Sequence, residues 1–137
     1  MPASALVAAA AGILLLLGVL HLKLTYAGRK LWPRDDTVRA SMQDTSPRIS
    51  DALNFWQAWI SFNASHSLGA MLFGLVYGYL AIARIEWLRA SLFLQAAGLL
   101  ALLGYSWLGY RYWFSIPRRS VWAATACYAV GMVMLHG

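Results

Sequence analysis

Two histidines, His21 and His66, are the side chains best equipped for chemistry, because each falls within or beside an apolar stretch. A neutral imidazole can ligate a metal and can carry protons near neutral pH. His66 lies in "SFNASHS", where Asn63 and the serines Ser61, Ser65 and Ser67 crowd seven positions ahead of the apolar run "LGAMLFGLVYGYLAIA". On two different helices at similar depth, His21 and His66 could ligate one haem, as in membrane b-type cytochromes. Either alone could hold a chlorophyll-type magnesium. Hydrolytic chemistry has less support. Ser65 and Ser67 flank His66, but neighbours on a helix do not face each other. A triad also needs a carboxylate to orient the imidazole, and Asp35, Asp36, Asp44, Asp51 and Glu86 all fall outside the apolar runs. No catalytic residue is assigned. No phosphate-binding glycine loop is present, and no metal cluster beyond the scattered histidines. The one cysteine, Cys127, excludes an internal disulfide and a cysteine-built metal site.

The elements that must position these groups are set by composition. The 137 residues are 61% apolar and only 12% charged, against about 25% charged in soluble domains. The chain therefore reads as a single integral membrane domain. Four runs, about 5–24, 60–83, 90–110 and 120–136, predict an all-α bundle of four spans, since about 20 apolar residues cross a bilayer. The runs are continuous, whereas membrane strands would alternate. No Lys or Arg precedes the first run, so it reads as a retained span rather than a secretory signal. Between the first two spans, residues 28–50 predict a cytoplasmic loop with a short interfacial helix. Pro33, Asp35 and Asp36 favour a helix start there, and Gly28 suits the end of the first span. Ser46 and Pro47 predict the start of a long second helix, about 37 residues to Ala83, with an interfacial first part.

Charge sets the orientation. Nine of the eleven basic residues flank the first and third loops, and only Arg84 and Arg89 lie on the other side. Basic loops stay cytoplasmic, so both termini are expected on the periplasmic or exterior face. The same charge mapping assigns the net +6 to topology and anionic lipid rather than to nucleic acid.

Small residues mark helix contacts. Ala8 and Gly12, then Ala70, Gly74 and Gly78 counted in fours from His66, then Ala123, Cys127 and Gly131, form stripes that let backbones approach. Asn63 lies three residues before His66, on nearly the same face. The polar group is thus either glue between helices or a site. At the end of the third span, Tyr105, Trp107, Tyr110, Tyr112 and Trp113 form an aromatic interfacial belt or a stacking pocket for a quinone, pigment or lipid.

At "HLKLTY", "PRD" and "FNASHSLG" the chain resembles a family of small bacterial four-helix membrane proteins of unknown function. The resemblance covers His21 to Tyr79 and would mark His21, Thr25, Asn63, Ser65, His66 and Gly69. Ser61 stands where that family's pattern would have glycine. The expected function is a non-enzymatic subunit of the bacterial inner membrane, surrounded by lipid. It would pack on other transmembrane helices, as a homo-oligomer or within a respiratory or photosynthetic complex. The alternative is a haem-, pigment- or quinone-binding redox protein using His66 and His21.

Overall fold

The computed structural model describes residues 2–137 and among them forms six α-helices and no strand. They are α1 (Pro2–Tyr26), α2 (Asp36–Asp44), α3 (Phe55–Ala83), α4 (Ile85–Ala90), α5 (Leu92–Tyr112) and α6 (Ser115–His136). Three of them, α1, α3 and α5, are long and apolar enough to cross a membrane. The fourth expected span falls in a helix, α6, which is not among those three. Arg118 and Arg119 stand near its start, and its apolar stretch runs only from Val121 to Leu135.

The chain divides into two compact units, one made of residues up to 17 with residues 70–137, the other of residues 18–69. In the first unit, Ala3, Val7, Ala10 and Leu14 of α1 are buried at helical spacing. Val121, Ala124, Tyr128, Gly131 and Leu135 bury one stripe of α6 in alternating steps of three and four, the pattern of a packed helix seam. Glycine permits the closest contacts. A Cβ on Gly74 would lie 2.7 Å from the Ala11 carbonyl oxygen, and one on Gly131 would lie 3.2 Å from that of Ala3. One on Gly98 would run into the rings of Tyr77 and Tyr128. Gly78 sits in ordinary contact with Ala11, while Gly12 faces open space.

Several polar side chains in this unit are tied to backbone. The Tyr77 hydroxyl donates to the Leu94 carbonyl at 2.7 Å and Tyr128 to that of Gln95 at 3.1 Å. Gln95 Nε2 donates to the carbonyls of Leu88 and Arg89, and its Oε1 lies 3.1 Å from His136 Nε2. The outer surface stays apolar: Leu72, Leu75, Val76 and Ile82 of α3, Leu100 and Leu103 of α5, and Val130 and Val133 of α6 are all exposed.

In the second unit, α1 stops at Tyr26 and Gly28 takes a φ of 90°, a left-handed conformation open to glycine without strain. A short helix, α2, falls within residues 28–50, where one was expected. Asp35 caps it, accepting from Thr37 N at 2.8 Å and Thr37 Oγ1 at 2.7 Å. Those two bonds, the hydroxyl's first, hold its carboxyl below the usual carboxylate range. The long helix begins later than Ser46 and Pro47 led us to expect. Instead Ser50 N bonds to the Pro47 carbonyl and Ala52 N to Ser50 Oγ, which keeps this segment in turns. Asn54 and Gln57 then bond each other's backbone N–H groups, both at 2.9 Å, a reciprocal cap that starts a helix. From there α3 runs 29 residues and stays helical through Ser61–Ser67.

Candidate functional site

The second unit brings together one turn of α1 and two turns of α3, and with them His21, Asn63 and His66. Asn63 is buried, and its Nδ2 donates to the Trp59 carbonyl at 2.7 Å. A carbonyl can only accept, so the amide is fixed with Oδ1 toward His21 Nε2, 2.9 Å away. That contact requires a proton on Nε2. In the neutral ring the lone pair of His21 is therefore on Nδ1. The His66 ring meets that of His21 edge to face, with centroids 5.4 Å apart and planes at 72°. On its other flank it stacks with Phe62 at 6.0 Å.

Hydroxyls complete the cluster without adding free donors. Thr25 is buried and donates to the His21 carbonyl at 2.8 Å. Ser67 is wholly buried and donates to the Asn63 carbonyl at 2.8 Å. Both bonds return to the preceding turn, a common way for such residues to sit within a helix. Two expected members stay outside. Ser65 is exposed and bonds the Phe62 carbonyl, and Gly69 is exposed as well. The buried stripe of α3 is Asn63, Ser67, Ala70, Gly74, Tyr77 and Ala81. Steps of four from His66 drift around the helix, because four residues turn it about 40° past a full circle. Gly78 is accordingly only half-buried.

The pair of rings limits what the cluster could hold. Ligation of one haem by both histidines requires them to face each other across the macrocycle. Rings meeting edge to face leave no plane between them, so that arrangement does not fit. One imidazole alone could serve as an axial ligand, with the Asn63 carbonyl as the hydrogen-bond acceptor that ligating histidines usually have. Among the described residues, no three His, Cys, Asp or Glu side chains group to hold a metal ion.

The aromatic end of α5 divides in two. Tyr105 and Trp113 are half-buried together, with centroids 6.1 Å apart. Trp107, Tyr110 and Tyr112 are exposed, and Trp107 meets Tyr112 edge to face at 6.0 Å. The outward three suit an interfacial belt better than an enclosed pocket.

A second feature of the residue 18–69 unit was not legible in the sequence. The Arg39 guanidinium lies 3.9 Å from the centre of the Trp32 ring and 5.1 Å from that of Trp56. The two indoles themselves meet edge to face at 5.6 Å. Trp59 Nε1 donates to the Leu31 carbonyl at 3.0 Å, tying the loop to α3. Beside them an open apolar pocket of about 310 Å³ is lined by Leu31, Trp32, Pro33, Met42 and Trp59. Tryptophans at 32, 56 and 59 hinted at an interface, but no local spacing announces that Arg39 would join them. Comparison of the chain with family models, with curated proteins and with solved structures finds no match.

Proposed function

We propose that this chain is a small, non-enzymatic subunit of the bacterial inner membrane that acts by helix association. It crosses the bilayer with α1, α3, α5 and α6, both termini on the periplasmic side. It works as a homo-oligomer or inside a larger respiratory or photosynthetic assembly, and its signature segments around His21 and His66 lock α1 to α3. The observation that carries the proposal is an inverted distribution of side-chain size. Large apolar residues stand outward, Leu72 at 63%, Leu100 at 67% and Val133 at 74% exposure, while Gly74, Gly98 and Gly131 stand at the helix contacts. Helices that are apolar on all sides are stable when lipid or partner helices cover them. The basic loops would then meet anionic headgroups on the cytoplasmic side.

Purification in mild detergent tests the proposal: a defined oligomer or a copurifying membrane partner is expected, and a lone monomer would overturn it. His66→Ala separates glue from site. Loss of assembly is expected; retained assembly with loss of a bound chromophore would favour the second reading.

That second reading is a pigment-, haem- or quinone-binding protein using a single imidazole of the pair. The fixed Nε2–H of His21 supports it, since it orients the ring as a ligand's outer hydrogen bond does. The visible absorption spectrum of the purified protein decides this. Absence of a Soret or chlorophyll band would remove the haem and pigment versions.

A further inference from the structure

We infer that Arg39 and the pocket beside it form a binding site for one anionic phospholipid, with the phosphate on the guanidinium edge and the top of an acyl chain in the pocket. The inference rests on the membrane reading above and gives it a specific lipid contact. Arg39 comes from α2, a helix that buries none of its own residues. Its guanidinium face is covered by Trp32, with Trp56 and the Arg29 stack on Trp32 close by. A stacked guanidinium keeps its N–H donors around its edge, in the fork geometry that suits phosphate. One of those donors, Nε, is shut off from solvent and has no hydrogen-bond acceptor in the protein. The charge is thus left unmatched by any protein oxygen at that atom, and a phosphate would be held by the terminal N–H groups on the outer edge of the guanidinium. The neighbouring carboxylate of Asp35 is turned to Thr37.

The apolar half of the ligand follows from helix geometry. Met42 is three residues beyond Arg39, so cation and apolar lining share one side of α2. Trp32 belongs to both features: it underlies the guanidinium and lines the pocket with Leu31, Pro33, Met42 and Trp59. A free phosphate would have no use for that apolar surface, whereas a phospholipid presents both chemistries side by side. The site's indoles also suit the headgroup level of a bilayer.

The test reconstitutes the full chain in phosphatidylcholine vesicles with and without phosphatidylglycerol. It then reads the lipid retained on the protein by native mass spectrometry after detergent extraction. Phosphatidylglycerol is expected to be retained over phosphatidylcholine, and to persist at high salt, where loose surface attraction is screened. Arg39→Gln is expected to lower that retention roughly tenfold. Arg39→Lys keeps the charge but loses the fork, and is expected to lower it by a smaller factor. Lys30→Gln is expected to leave retention unchanged. Equal losses from Lys30→Gln and Arg39→Gln, or wild-type retention abolished by salt, would overturn the site in favour of unspecific attraction. Retention of an acidic protein in place of lipid would overturn it as well. A chain washed off the vesicles at high pH would instead defeat the membrane reading itself. Unchanged far-UV circular dichroism in the Arg39 variants confirms that each one has folded.

Discussion

The two units of this chain differ in what their buried polar side chains do. In the first, the hydroxyls of Tyr77 and Tyr128 end on backbone carbonyls of α5, and Ser106 and Thr125 pair at 2.8 Å while Thr125 also reaches the Val121 carbonyl. A carbonyl accepts from any donor, so the bonds to backbone fix how helices sit and ask little of the side chain's identity. In the second, an amide is matched to an imidazole and a guanidinium to two indoles. Those contacts depend on particular chemical groups. The first unit has matched pairs too, Gln95 with His136 and the Arg118 guanidinium 5.5 Å from the Trp122 ring, but the Gln95–His136 contact is exposed whereas Asn63 is buried. Tight fit thus marks one unit and buried recognition chemistry the other.

The sharpest way to break this contrast is to disturb the fit. Gly98→Ala would place a methyl 2.7 Å from Tyr77 Cε1 and closer still to Tyr128, whose ring is fully buried and has nowhere to swing. A loss of about 1–3 kcal/mol is expected in unfolding measured in detergent. Gly12→Ala and Gly104→Ala, with nothing near the new carbon, are expected to match the wild type or exceed it slightly.

A smaller effect probes the recognition chemistry. Asn63→Ala leaves the Nε2–H of His21 without its acceptor, at an expected cost of about 0.6–2 kcal/mol. A double-mutant cycle with His21→Ala should recover most of that as coupling. The corresponding Tyr128→Phe change removes one hydroxyl donor and is expected to cost about 1 kcal/mol, with a smaller coupling, confined to its neighbour Tyr77. Coupling of equal size in both units would erase the distinction.

The smallest effect concerns pH. Because Asp35 titrates lower when folded than when free, its cap stabilises α2 fully above the ordinary carboxylate range. That contribution fades as pH falls through the lowered value. Far-UV circular dichroism should show a slight helix loss on acidification that Asp35→Asn removes.

Hydropathy carried the helices well: runs at 5–24, 60–83, 90–110 and 120–136 correspond to α1, α3, α5 and α6. Helix starts were harder. Ser46–Pro47 has the residues of a cap, but Asn54 and Gln57 form the reciprocal one, and a sequence cannot show which competing cap is made. The six residues of α4 are too short and too charged to register by periodicity. In the polar cluster, His21, Asn63 and His66 were legible because ionisable and amide groups are conspicuous among apolar neighbours. Ser67 was obscured by its twin Ser65, since only the true helical repeat tells which serine turns inward. Arg39 was hidden among the other cations of its loop; its role depends on indoles brought from Trp32 and Trp56.

If α3 crosses a bilayer as proposed, its length sets where the histidines meet the solvent boundary. At about 1.5 Å per residue, its 29 residues extend about 43 Å, against a hydrocarbon layer of about 30 Å. Counted from Phe55, the surplus of about 13 Å is used up near Asn63. In an upright helix the imidazole pair would therefore rest where acyl chains give way to headgroups. A thicker bilayer would draw His66 into hydrocarbon and a thinner one would leave it wet, so membrane thickness would become a dial on the polarity around the cluster.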